Sequence, residues 1–322
     1  MPQYWMISNR NLEDDGLGST QDRLRYWTTD GEQLTKFANW GKPLSAAAFK
    51  TQLLEATKDF PLITDPADHQ QQKHVVLYIH GFNNTWDGAL VRYQELCKKL
   101  FSGPDGMGIC VLFSWPSDGM ATNYLPDRRD AVACAQDLAD VFTLLYDYLE
   151  KQQMAAEADA EKACRAKLSV IAHSMGNFVL QKAMQVVWTR KNRPLLVSLL
   201  NQLLMVAADV DNDLFDSGEA VDGSDGDAIA NLTYRVSALF SGRDAALGLS
   251  AGMKHFGKRR LGRSGLDRVA GAPPDNVWDL DCTAFFEQLE ASEVHTAYFT
   301  EDKVLTILGR ILTGLDRQFI VE

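Results

Sequence analysis

The chain has 322 residues, with 43 Asp and Glu against 32 Lys and Arg, a formal net charge of −11. That sign excludes a nucleic-acid partner held by phosphate neutralisation and disfavours attraction to anionic lipid surfaces. With 46% apolar residues it can bury a large core, and its five cysteines, odd in number and without a C-x-x-C pair, point to free thiols in a reduced, cytoplasmic compartment. The opening MPQYWMISNRNLEDD lacks a basic segment leading into an apolar one, so no secretory leader is expected. The longest apolar segment, LLVSLLNQLLMVAA (195–208), is broken by Asn201 and Gln202 and is too short to span a bilayer.

In chain order, QYWMIS (3–8) and RLRYWTT (23–29) are short aromatic, β-prone runs around a polar, Gly-bearing link, as in a hairpin-like edge. SAAAFKTQLLEATKDF (45–60) reads as a helix with Ser45 as its N-cap. From residue 75 strands and helices alternate. VVLYIH (75–80) is a continuous apolar run, the mark of a strand buried on both faces. Trp86, Ala89, Leu90, Tyr93, Leu96, Cys97 and Leu100 then share one helical face. GICVLFSW (108–115) is the second such strand, followed by a long helix over 127–152. KLSVIA (167–172) leads into the helix MGNFVLQKAMQVVW (175–188), and LLMVAA (203–208), TYRVSALF (233–240) and NVWDLDC (276–282) are further strands. This alternation implies right-handed crossovers and a mostly parallel, doubly wound α/β sheet with helices on both faces.

The whole of 1–322 is read as one domain, with an N-terminal hairpin-like edge and helix over 1–70. Two segments break the rhythm: an acidic loop at 209–231 and a basic, cap-like insertion at 245–274. Both follow strand C-termini, where open α/β sheets build their sites.

The stretch LSVIAHSMGNFVL (168–180) places Ser174 at a sharp strand-to-helix turn. Such an elbow forces a nucleophilic serine into a strained conformation and exposes its oxygen at the sheet edge. The usual pattern is G-x-S-x-G; here Ala172 replaces the first glycine and Gly176 keeps the second. The flanking positions must be small because strand and helix approach closely, and alanine adds only one methyl.

Acyl transfer also needs two N–H donors where negative charge develops. Met175, after the serine, supplies one; Phe82, in the loop that ends VVLYIHGFNN, supplies the other, with Gly81 permitting the tight turn. His80, Gly81, Asn83, Trp115 and His173 are candidate substrate-facing neighbours. His173 adjoins the serine but is expected to point away from it along the elbow. Acid and base should follow the serine in the order Asp, His. Asp244, Asp209 and Asp211 all lie just past strands. Of the two later histidines, His255 lies among cations that would lower its proton affinity, whereas His295 follows the last strand and is preferred. Strand order favours Asp244, with Asp209 as the alternative acid.

Asp209, Asp211 and Asp213 alternate like calcium ligands, but Leu214 and Ala220 stand where an EF-hand loop needs Gly and Glu. No metal and no cofactor is therefore expected. The basic stretch KHFGKRRLGR (254–263) could meet an anionic group on a substrate; the simpler reading is a solvated segment balanced by the acidic loop.

HGFNNT, FSWPSDG with the following Tyr124 and Asp127, AHSMGN, AADVD, SGRDAALGLS and the final histidine, in order over about residues 72–310, resemble a bacterial α/β-hydrolase family "of unknown function" grouped with esterase- and lipase-like enzymes. The N-terminal part matches loosely, through MISNR. The resemblance implies the α/β-hydrolase fold and a triad of Ser174, Asp244 and His295, and its acid loop, SGRDAAL, favours Asp244 over Asp209. The expected function is hydrolysis of small-molecule esters or lipid-like substrates through an acyl-enzyme. The alternatives are a catalytically silent binding module, or an acyltransferase or thioesterase on the same machinery.

Overall fold

A computed structural model describes residues 3–63, 65–117, 124–158, 165–191, 198–216, 226–254, 257–269 and 271–321. Strands β1 (Tyr4–Glu13) and β2 (Gly16–Thr29) precede α1 (Ala46–Thr57) and β3 (Lys73–Ile79). Then come α2 (Trp86–Leu96), β4 (Gly108–Ser114), α3 (Tyr124–Ala158), β5 (Ala166–His173), α4 (Gly176–Lys191) and β6 (Leu200–Val206). The chain continues through α5 (Asp227–Leu232), β7 (Thr233–Phe240), α6 (Ala245–Leu249), α7 (Leu261–Ser264), β8 (Val277–Asp281), α8 (Val294–Ala297) and α9 (Asp302–Leu312).

The strands form one eight-stranded sheet in the order β2-β1-β4-β3-β5-β6-β7-β8. Only β2 runs antiparallel, against β1; every other neighbouring pair is parallel. The N-terminal hairpin thus contributes more than an edge. Its β1 is interior, paired with β4 from Trp5↔Val111 to Ser8↔Ser114.

The continuous apolar runs have a direct cause. Alternate residues of each strand face opposite sides, and both sides are covered. Leu77, Ile79, Val111, Phe113, Val170 and Ala172 pack under α1, α3 and α4 with Phe49, Leu138, Phe142 and Val179. Val76, Tyr78, Leu112, Ile171 and Leu204 pack the other way, against α2 and α9, with Leu90, Tyr93, Leu305 and Leu308. Ser45 caps α1, its Oγ accepting from Ala48 N at 3.1 Å, and Thr85 caps α2. The long helix extends beyond the expected 152, to Ala158. Helix α9 lay outside the sequence expectations. Its Val304, Leu305, Ile307, Leu308, Ile311 and Leu312 are all buried, the spacing of one apolar helical face.

The acidic and basic segments meet. Asp211 and Arg260 form an isolated antiparallel bridge, and Leu261 N and Gly262 N donate to Val210 O and Ala208 O. Arg260 is wholly buried and pairs with Asp209 and Asp211, while Lys258 lies 3.6 Å from both Asp211 and Asp213. The acidic run does balance these cations, but the stretch is not simply solvated: Lys258 is exposed, whereas the Arg260 guanidinium is buried on the carboxylates of Asp209 and Asp211. Residues 217–225 of the acidic loop and His255 lie outside the described residues.

Candidate active site

The elbow is built from β5, two residues and α4. Ser174 has φ +51°, in the left-handed region that ordinary residues avoid. Both its backbone groups are held: Ser174 N donates to Val206 O at 3.0 Å, and Asp209 N donates to Ser174 O at 3.1 Å. The buried Asn177 side chain adds a third tie, Nδ2 donating to Ala172 O at 2.8 Å. Gly176 is dictated by space. A Cβ there would lie 2.6 Å from both Ile79 O and His80 O. Ala172 meets no such limit; its methyl is wholly buried in the apolar cluster beneath α4.

Three side chains converge at the elbow. His295, carried by α8, has its Nε2 2.9 Å from Ser174 Oγ and its Nδ1 2.7 Å from Asp244 Oδ2. A carboxylate only accepts, so Nδ1 carries the proton and Nε2 is left to accept from the serine. Asp244 is completely buried at the N-cap of α6, where its other oxygen, Oδ1, accepts from Leu247 N at 2.9 Å. The Arg263 guanidinium donates to the Asp244 carbonyl and anchors the same turn.

Asp209 is engaged elsewhere. Its Oδ1 accepts from Arg260 Nε at 2.8 Å and Ser250 Oγ at 2.9 Å, and its Oδ2 from Tyr124 OH at 2.8 Å. Burial, and next the neighbouring Asp209 charge, push the Tyr124 phenol well above its ordinary value.

His173 turns beneath His295. Its Nε2 donates to the His295 carbonyl at 2.9 Å, and the two rings lie 4.9 Å apart. Burial, reinforced by His295, holds its pKa well below that of a free histidine. It stays neutral and supports the backbone that carries His295.

The loop after β3 lies against the serine: a Cβ on Gly81 would sit 2.7 Å from Ser174 Cβ. Two donors hold the Gly81 carbonyl, His80 Nδ1 at 2.9 Å and Asn84 Nδ2 at 3.0 Å. The Gly81–Phe82 peptide is trans and planar, so the Phe82 N–H points away from that pair. Asn83, exposed, takes φ +58° at the turn. Met175 is buried, and its amide opens the first turn of α4, where N–H groups lack partners within the helix.

His80 and Trp115 are wholly buried beneath this loop rather than facing outward. Their rings stack at 5.4 Å and 8°, Trp115 Nε1 donates to His80 O at 2.8 Å, and Trp115 N donates to His80 Nε2 at 3.2 Å. Since a backbone N–H can only donate, His80 is neutral with its proton on Nδ1, and burial lowers its pKa to about 3. Phe82 is half-buried, its ring edge-on to Tyr124 at 5.4 Å.

Three features here were not assigned roles from the sequence. Asn84 orients the loop as above. Ser117 Oγ donates to Asp127 Oδ2 at 2.6 Å, tying the turn after β4 to the first turn of α3. Arg10 lies buried among backbone carbonyls. Among the described residues no group of three His, Cys, Asp or Glu side chains could hold a metal ion, and no helix is long and apolar enough to cross a membrane.

Comparison with known proteins adds three findings. A protein of Nostoc sp. (strain PCC 7120) described as uncharacterized is 28% identical over 129 residues, covering 34% of this chain and 30% of that protein. A hyperthermophilic esterase from the archaeon Pyrobaculum calidifontis aligns in structure over 76% of this chain and 77% of its own, with 10% identity and a TM-score of 0.36. A thermostable esterase from Pseudomonas putida ECU1011 aligns over 87% and 95%, with 13% identity and a TM-score of 0.32. The profile of the family described as "Alpha/beta hydrolase of unknown function (DUF900)" matches residues 62–270, about two thirds of the chain. This chain belongs to that α/β-hydrolase family.

Proposed function

We propose that the chain is a serine hydrolase that cleaves carboxylic esters of small or lipid-like molecules through an acyl-enzyme. The observation that carries this reading is the continuous path from Ser174 Oγ through the His295 ring to the buried Asp244 carboxylate, at 2.9 and 2.7 Å. A serine hydroxyl is a poor nucleophile until a base takes its proton, and a His295 ring whose Nδ1 faces a carboxylate and whose Nε2 faces the serine supports that role.

In the proposed mechanism Ser174 Oγ attacks the ester carbonyl while its proton passes to His295 Nε2. Asp244 holds the ring and offsets the positive charge it acquires. The Phe82 and Met175 amides receive the negative charge on the carbonyl oxygen. Collapse of the tetrahedral adduct breaks the bond to the alcohol, which leaves with the proton from His295. Water then gives a proton to His295 as it attacks the acyl-serine, and collapse of this second adduct breaks the bond to Ser174 Oγ, which takes the proton back from His295 as the acid leaves. His173 and Asp209 take no proton in this scheme.

A fluorophosphonate probe should label wild-type protein on Ser174 and fail on folded Ser174→Ala. A series of nitrophenyl esters from acetyl to palmitoyl should show turnover that falls by roughly six orders of magnitude in that variant, since triad members act as a unit. Equal labelling and equal turnover in the two proteins would overturn the assignment.

A further inference from the structure

The N-terminal hairpin carries an arginine for which the scheme above has no role. Arg10, on β1, is only 1% exposed. Its Nε donates to Ser114 Oγ at 3.0 Å, its Nη1 to Gly18 O at 2.9 Å and Ser117 O at 3.1 Å, and its Nη2 to Asn84 O at 3.0 Å. One planar fork thus joins the hairpin, the end of β4 and the loop after β3. Burial lowers its pKa to about 10, so it remains a cation at neutral pH, with the Asp127 charge nearby working in its favour. Burying a guanidinium is expensive, and a molecule that keeps one there needs what it holds.

What it holds is Asn84, at both backbone ends. The Asn84 carbonyl accepts from Arg10 directly, and Asn84 N donates at 3.3 Å to the Oγ of Ser117, whose carbonyl Arg10 also grips. The Asn84 side chain in turn holds the carbonyls of Gly81 and Phe82, at 3.0 and 2.9 Å. The Gly81 carbonyl belongs to the peptide whose other end is the Phe82 N–H. We propose that Arg10 is a positioning residue for the oxyanion loop: by fixing Asn84 it sets the tilt of the Gly81–Phe82 peptide and aims the Phe82 N–H at the developing oxyanion. This rests on the hydrolase reading above and adds to it a requirement from residues 4–29, which lie outside the segment matched by the family profile. A lysine cannot replace the fork, because one ammonium cannot reach acceptors on three separate segments.

The experiment compares full-length wild type with Arg10→Lys and Arg10→Met on a nitrophenyl ester and on the matching thionoester. Sulfur accepts hydrogen bonds poorly, so the ester-to-thionoester ratio of kcat reads the oxyanion donors and not general integrity. Losing one such donor lowers kcat about 10²–10³-fold in comparable sites. Arg10→Met should lose about 10²-fold in ester kcat with KM within about twofold, and its ester-to-thionoester ratio should fall about tenfold or more. Arg10→Lys should not restore the ratio, and methylguanidinium added to Arg10→Ala should recover part of it while methylammonium does not. If the Arg10 variants do not fold, Ser117→Ala decides, since it cuts the hold on Asn84 N and leaves the guanidinium in place. A wild-type ratio in folded Arg10→Met, or in Ser117→Ala where the former does not fold, overturns the proposal. Wild type that neither turns over esters nor takes up a fluorophosphonate defeats the hydrolase reading itself; active wild type with an unchanged ratio in the variants defeats only the role of Arg10.

Discussion

Replacing Asp244 by asparagine tests the proposed role of His295 as base more sharply than deleting the side chain. The variant is isosteric, and its geometry is constrained from one side. Oδ1 of Asp244 accepts from Leu247 N at 2.9 Å, so the amide oxygen of the introduced side chain must take that place. Its NH2 group is then left facing His295 Nδ1, where Oδ2 stood at 2.7 Å. Two donors cannot share that contact, so the imidazole shifts its proton to Nε2 and turns an N–H toward Ser174 Oγ. On the proposed mechanism the serine then loses its base although every heavy atom keeps its position. Loss of about 10⁴ in kcat is expected of such a tautomer error, about 5 kcal/mol in activation free energy. Stability should change little, because the N-cap bond to Leu247 survives. Initial rates on a nitrophenyl ester and the rate of fluorophosphonate labelling should fall together, with an unchanged urea midpoint. A folded Asp244→Asn protein within tenfold of wild type would refute the reasoning.

Asp209→Asn should give the opposite pattern: kcat within about tenfold, but stability lowered by about 3–5 kcal/mol, read as a shift in the urea midpoint, because the buried Arg260 loses a charge partner. Stability should also fall as pH drops from 7 to 5. Burial lowers His74 to about 4 and His80 to about 3, and lowers His173 as well, so the unfolded chain takes up protons below about pH 6.5 that the folded chain refuses. At pH 5 this amounts to about 2 kcal/mol each for His74 and His80, with the effect levelling off only below their folded values; equal urea midpoints at pH 7 and 5 would contradict it. Ala172→Gly, which restores the common elbow pattern, should keep kcat within about threefold and cost roughly 0.5–1 kcal/mol of stability, since the space already suits a methyl and glycine weakens a strand.

Much of this architecture is written locally. VVLYIH and KLSVIA read as doubly covered strands because burial on both faces leaves no polar alternation to find. The elbow is legible because a serine between a strand and a helix, followed by Gly176, reflects two carbonyls pressing on that position. Asp244 and Asp209 look alike in the sequence, each just beyond a strand. What separates them in space is Arg260, 51 residues after Asp209, which occupies that carboxylate and leaves Asp244 at the histidine. Arg10 was illegible for a related reason. Its acceptors are backbone carbonyls and a hydroxyl lying 8, 74, 104 and 107 residues away, and carbonyls leave no mark on the sequence. The basic run around Arg260 shows the limit of charge patterns, which do not reveal whether a cation faces solvent, a ligand or an aspartate in the same chain.

The interior place of β1 has a consequence for how the protein is made. A lone two-stranded hairpin is marginally stable in water. On the ribosome, β1 has only β2 beside it until residues 111–114 emerge, and Ser114 follows Arg10 by 104 residues. At ordinary rates of synthesis that delay is about 5–20 s. Throughout it, Trp5, Trp27 and a bare guanidinium, all destined for the interior, wait without their cover. Overexpression that outruns this step is expected to leave that strand edge unpaired and open to chaperones and neighbouring chains.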